Sequence, residues 1–167
     1  NFHVNPDYYF KVTDAITPHS NLVFSIKYTE GDFWRMLPFN PTLGIGKHRQ
    51  MVEVQCQSEY YGKGAHPYYV ADGVINGWEE SAKIMRPGQM KSLSDLVRNP
   101  NFAGIWTWSR GGGWGGPYIT NELWCRLNAY VVARYAQNPQ RSEEEIFNQF
   151  AREELHLSPE DTARFRE

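Results

Sequence analysis

The stretch MVEVQCQSEYYGKGAHPYYV, Met51 to Val70, decides how this chain folds. As an extended strand it puts Val52, Val54 and Cys56 on one face and Glu53, Gln55 and Gln57 on the other, because successive side chains of a strand alternate. The apolar face suits a core. The polar face needs a reason, since an isolated buried charge is expensive unless it is paired or used.

Working outward, NLVFSIKY (21–28) has the same period and places Ser25 and Lys27 opposite Phe24 and Ile26. GIWTWS (104–109) is a third candidate strand. Between and around them the pattern turns helical: NPDYYFKVTDAIT near the start, DGVINGWEESAKIM over 72–85, and SLSDLVRNP opened by Ser92 with Asp95 in the first turn. TNELWCRLNAYVVARYAQNP carries a stripe through Leu123, Leu127, Tyr130, Val131 and Arg134, ended by Asn138 and Pro139. Ser142 and Glu145 form a capping-box pattern before SEEEIFNQFAREEL, and Ser158 with Pro159 and Asp161 starts a last short helix.

Strands separated by helical segments, each strand running into a long loop, read as three parallel β/α units over residues 1–119, with C-terminal helices over 120–167. The expected class is α/β, in a single domain over 1–167. Three strands do not close a barrel, which typically takes about 250 residues. Two architectures remain, a small open sheet or the C-terminal portion of a (β/α)8 barrel. The aromatic, glycine-rich loops after the strands favour the barrel, whose sites are built at the carboxyl ends of its strands.

Composition narrows the function. The chain of 167 residues is 41% hydrophobic and 15% aromatic, enough for a substantial core. Its 17 basic and 19 acidic residues are interspersed and leave a net charge of -2, so neither nucleic acid nor an anionic membrane is an expected partner. No apolar run approaches the roughly 20 residues that cross a bilayer. The start of the chain lacks a signal-peptide layout and a Met, so the chain is expected to be part of a longer protein, and its compartment is left open. Cys56 and Cys125 read as buried thiols, and the five histidines have no metal spacing, with His66 kept as a minor candidate.

The polar strand faces hold the chemistry. Lys27 and Glu53 point the same way on neighbouring strands, either as a structural ion pair or as parts of a site. Asp32 follows the first strand in EGDFWR, either as a solvated loop acid or as a second carboxylate over the same mouth. Paired carboxylates at strand ends are what glycoside hydrolysis uses. Phe33, Trp34, Tyr60, Tyr61, Tyr68, Tyr69, Trp106, Trp108 and Trp114 surround these positions, and aromatic faces give sugar rings an apolar platform, although many of them must be core. Trp34, Arg35 and Gln55 join the candidate substrate contacts, as do Arg110 and Trp114 of RGGGWGGP, a loop without the GK[ST] ending of a phosphate cradle.

IKYTEGDFWRMLPFNPTLGIGKHRQMVEVQCQSEYYG (26–62) resembles the segment of the α-glucuronidases of glycoside hydrolase family sixty-seven that carries their catalytic base carboxylates. The matching positions are Ile26 with Lys27, Asp32 with Phe33, Glu53 with Gln55, and Glu59, Tyr60 and Gly62, in order. Asn121, Leu123, Trp124, Arg126 and Leu127 echo a later helix of that family, whereas GIWTWSRGGGWGG departs from its pattern.

The resemblance implies an inverting hydrolase that removes α-linked glucuronic or 4-O-methylglucuronic acid from xylan-derived oligosaccharides without a cofactor or metal. Asp32 and Glu53 would activate the water and Lys27 would contact the uronate. The family's general acid lies on an earlier strand, outside this chain. The chain is therefore expected to pair with the missing part of the barrel or with another chain, and to be inactive by itself. The alternatives are a non-catalytic glycan-binding or scaffolding fragment, a glycosidase acting on another acidic glycan, and a retaining enzyme with Glu53 as nucleophile.

Overall fold

The computed structural model describes residues 2–35, 37–54, 56–58, 61, 65–108 and 118–167. Three parallel strands form one sheet in the order β1 (Val23–Lys27), β2 (Arg49–Glu53), β3 (Phe102–Trp106). The helices are α1 (Pro6–Thr13) before β1; α2 (Ala71–Asn76), α3 (Glu79–Ala82) and α4 (Leu93–Leu96) between β2 and β3; and α5 (Leu123–Gln137), α6 (Glu143–Glu153) and α7 (Pro159–Arg166) after β3. The chain is α/β with a parallel sheet and C-terminal helices, and its described residues form no closed barrel.

The local signals explain most boundaries. Pro6 opens α1 behind Asn5, whose side chain accepts from Tyr8 N–H. At α6 the capping box is complete: Ser142 Oγ accepts from Glu145 N–H, and the Glu145 carboxylate accepts from Ser142 N–H at 2.7 Å. Ser158 caps α7 through its Oγ, which accepts from Asp161 N–H at 3.1 Å.

Several expectations need correction. The helix expected over 72–85 is broken into α2 and α3 by Gly77, whose φ of 96° ends α2 in a conformation that only glycine adopts cheaply. Strand β2 begins at Arg49 and stops at Glu53, so Gln57 lies beyond the strand and is buried rather than wet. The link from β1 to β2 is not a β/α unit. Residues 28–48 cross over with no helix among those described, anchored by Tyr28 N–H to Glu53 O and Asn40 N–H to Tyr28 O. The stripe on α5 is rotated: Cys125, Leu127, Asn128, Val131, Val132 and Tyr135 are buried, while Leu123 is exposed.

One sheet face is sealed. Ile26, Val52 and Val54 are fully buried in a single cluster with Val74 and Ile75 of α2, Leu127 and Val131 of α5, and Ile146 and Phe147 of α6. Two polar hubs hold its loops. Gln50 donates to Tyr9 Oη and Thr42 O, each at 2.9 Å, and accepts from Gly44 N–H at 2.7 Å. Asn128 accepts from Val70 and Ala71 N–H at the start of α2 and donates to Tyr68 O. Both amides are buried and hydrogen-bonded through their oxygen and their nitrogen, as burial of polar groups requires. The thiols of Cys56 and Cys125 are free and buried.

Candidate functional site

The opposite sheet face is open. Ser25 is exposed, and Lys27, Met51 and Glu53 are only partly covered. Parallel sheets are normally covered on both faces, so a face left uncovered by the described helices, with polar residues at the carboxyl end of its strands, is a candidate ligand site.

The register assembles the site. Lys27 pairs with Glu53 across β1 and β2, and Glu53 pairs with Trp106 across β2 and β3. The second pairing depends on an irregularity. Gln50 faces Phe102 but Met51 faces Gly104, so Ala103 is an extra residue in β3, and Gly104 takes a φ of 135°. Such a bulge re-aims every side chain after it. Without it Ile105 would stand beside Glu53; with it Ile105 joins Val52 and Trp106 turns to the open face.

Asp32 reaches the same end through Lys27. Thr29 Oγ1 donates to Gly31 O at 2.9 Å and Trp34 N–H to Asp32 O at 2.9 Å, folding EGDF into a tight loop. The Asp32 carboxylate then lies 3.6 Å from Lys27 Nζ, with the Asp32 side chain 60% exposed and that of Lys27 20% exposed. The ammonium also sits 4.4 Å from the centre of the buried Phe33 ring, a cation–π contact. Lys27 thus lies in backbone register with Glu53 while its ammonium pairs with Asp32.

The aromatics divide. Phe33 and Tyr61 are core, and Tyr68 and Tyr69 pack against it. Trp34, Trp106 and Trp108 are exposed. The Trp106 indole N–H donates to Ser25 Oγ at 2.8 Å across the sheet, and that of Trp108 donates to Glu53 Oε1 at 2.5 Å. Their ring centres lie 6.3 Å apart with a 36° tilt, and both rings are partly exposed.

Arg35 is engaged elsewhere: its Nε donates to Glu80 Oε1 of α3 at 2.8 Å, and its guanidinium lies 4.7 Å from the Trp78 ring. Hydrogen bonds from its own backbone and from Arg35 hold the Glu80 carboxyl below its ordinary range. Gln55, Glu59, Tyr60, Gly62, Arg110 and Trp114, with the glycine-rich loop around Trp114, lie outside the described residues.

Strand periodicity found Lys27 and Glu53, and composition found the tryptophans. The bulge and the two indole donors were missed. The only available signal was Gly104 inside an otherwise strand-like run, which marks bulges. Compared with protein-family models, curated proteins and solved structures, the chain finds no match.

Proposed function

We propose that this chain is the C-terminal portion of a (β/α)8-barrel glycoside hydrolase resembling α-glucuronidase, which releases α-linked glucuronic or 4-O-methylglucuronic acid from xylan-derived oligosaccharides with inversion. The observation that supports the reading is the placement of Lys27 and Glu53 in register at the carboxyl ends of adjacent parallel strands, with the Asp32 carboxylate 3.6 Å from Lys27 Nζ, on the sheet face that no described helix covers.

In the proposed step, the oxygen of a water attacks the anomeric carbon while Asp32 and Glu53 orient it and take its proton. The glycosidic C–O bond breaks, and the leaving oxygen receives a proton from a carboxylic acid on an earlier strand, outside these residues. Inversion leaves room for the water, with acid and base roughly 6.5 to 9.5 Å apart. Lys27 supplies positive charge for the uronate carboxylate, and the exposed tryptophans supply apolar faces for the sugar rings. The edges of β1 and β3, unpaired among the described residues, suit pairing with the rest of a barrel or with another chain.

The test is Glu53→Gln in a protein that supplies the acid. Turnover falls by about 10²- to 10⁴-fold with substrate binding nearly unchanged. Unchanged turnover rejects the role. The exposed Trp34, Trp106 and Trp108 also favour a second reading, a glycan-binding fragment without hydrolysis. Calorimetry that finds glycan binding, alongside no product when the acid-bearing part is present, selects it.

A further inference from the structure

Glu53 is not held the way the other polar residues of β2 are held. Gln50 is buried and held by hydrogen bonds to Tyr9, Thr42, Gly44 and Ile45. Glu53 stands on the open face, and a carboxylate there rotates almost freely about its last torsion, which is broad and two-fold. The donor that reaches it comes from Trp108, two residues past the end of β3.

The chain delivers that indole to a fixed place. Val54 N–H donates to Trp106 O at 2.8 Å, and Thr107 Oγ1 donates to Val54 O at 3.1 Å, so the segment leaving β3 is pinned to the segment leaving β2 from both sides. The neighbouring Trp106 is tied to Ser25, and its ring braces that of Trp108.

Stability does not explain the arrangement. Trp108 is 49% exposed, and water competes for a hydrogen bond on such a surface, leaving it little net worth. Half of a large apolar ring stands in solvent with it. What the contact does supply is geometry. An indole N–H is a donor only, so Trp108 holds a carboxylate oxygen but neither takes nor returns its proton.

We propose that Trp108 is a positioning residue for Glu53. Its N–H occupies Oε1, sets the plane of the carboxylate and leaves Oε2 as the oxygen that meets the reacting water. This deepens the hydrolase reading and rests on it.

Trp108→Phe tests the role, because it keeps an aromatic face and removes the N–H. In ¹H–¹⁵N spectra of the chain, the Trp108 Nε1–H signal lies downfield and moves upfield in Glu53→Ala, whereas the Trp106 signal stays in place. In a protein that supplies the acid, Trp108→Phe lowers kcat by about tenfold to a hundredfold and leaves KM within about twofold, as expected when a reacting group is misplaced. A rise in KM at constant kcat makes the indole a stacking surface alone and overturns the proposal. A Trp108 signal that ignores Glu53→Ala overturns it whatever the chain hydrolyses. A signal that follows Glu53 in a protein that hydrolyses nothing keeps the contact and removes the hydrolase reading instead.

Discussion

Gln50 and Glu53 lie three residues apart on β2 and face opposite sides of the sheet. Gln50 is sealed in, and its amide is consumed by Tyr9, Thr42 and Gly44. Glu53 stands partly exposed on the face that no described helix covers, with Trp108 on one oxygen. A saturated polar group specifies the fold, because its loss leaves buried partners unpaired. A half-covered carboxylate with acceptor capacity left over adds little to stability and keeps an oxygen accessible.

The strongest challenge to the covered side is Asn128→Ala. It strips the acceptor from Val70 and Ala71 N–H and the donor from Tyr68 O, and should cost about 3 kcal/mol by urea unfolding, the scale of orphaned buried groups. A cost near zero would mean that the hub is not holding α2 to α5.

On the open side, Gly104→Ala sharpens the comparison, because a Cβ there meets nothing within 4 Å. Only the backbone objects. At φ 135° the substitution should cost about 1 to 3 kcal/mol and change the Trp106 fluorescence, whereas a neutral result would remove the bulge as the device that aims Trp106.

The covered side also makes an alkaline prediction. Burial pushes the Cys56 thiol and the Tyr61 phenol up to about 12, from ordinary values of 9.0 and 10.0. In the folded chain these protons stay on while the unfolded chain loses them, so the unfolded state binds fewer protons and stability falls as pH rises through roughly 9 to 12. Unfolding midpoints that are flat across that window would contradict the burial of both groups. Failure of a thiol reagent to label Cys56 in the native state at pH 8 checks it independently.

What could be read in advance followed from local chemistry. The Ser142–Glu145 box, the Ser158 cap and the shared face of Lys27 and Glu53 depend on residues a few positions apart, and strand or helix period exposes them. What escaped depends on distant partners. Arg35 turns to Glu80 because Trp78 offers it a ring, and α5 buries Asn128 rather than Leu123 because Val70 and Ala71 need an acceptor. The Ala103 bulge flips the parity of β3, which no count of alternating residues within one strand reveals. The candidate site was legible as two acids, a lysine and nearby tryptophans; the indole hydrogen bonds to Ser25 and Glu53 were not.

The central claim, that Asp32 and Glu53 act on one water, is tested most directly by a double-mutant cycle of Asp32→Asn and Glu53→Gln. Turnover is measured on an α-glucuronosyl xylooligosaccharide in a protein that supplies the acid. Groups that work as a unit are strongly non-additive, so the double variant should be hardly slower than the worse single one. Losses that multiply would place the two carboxylates in separate roles and contradict the account.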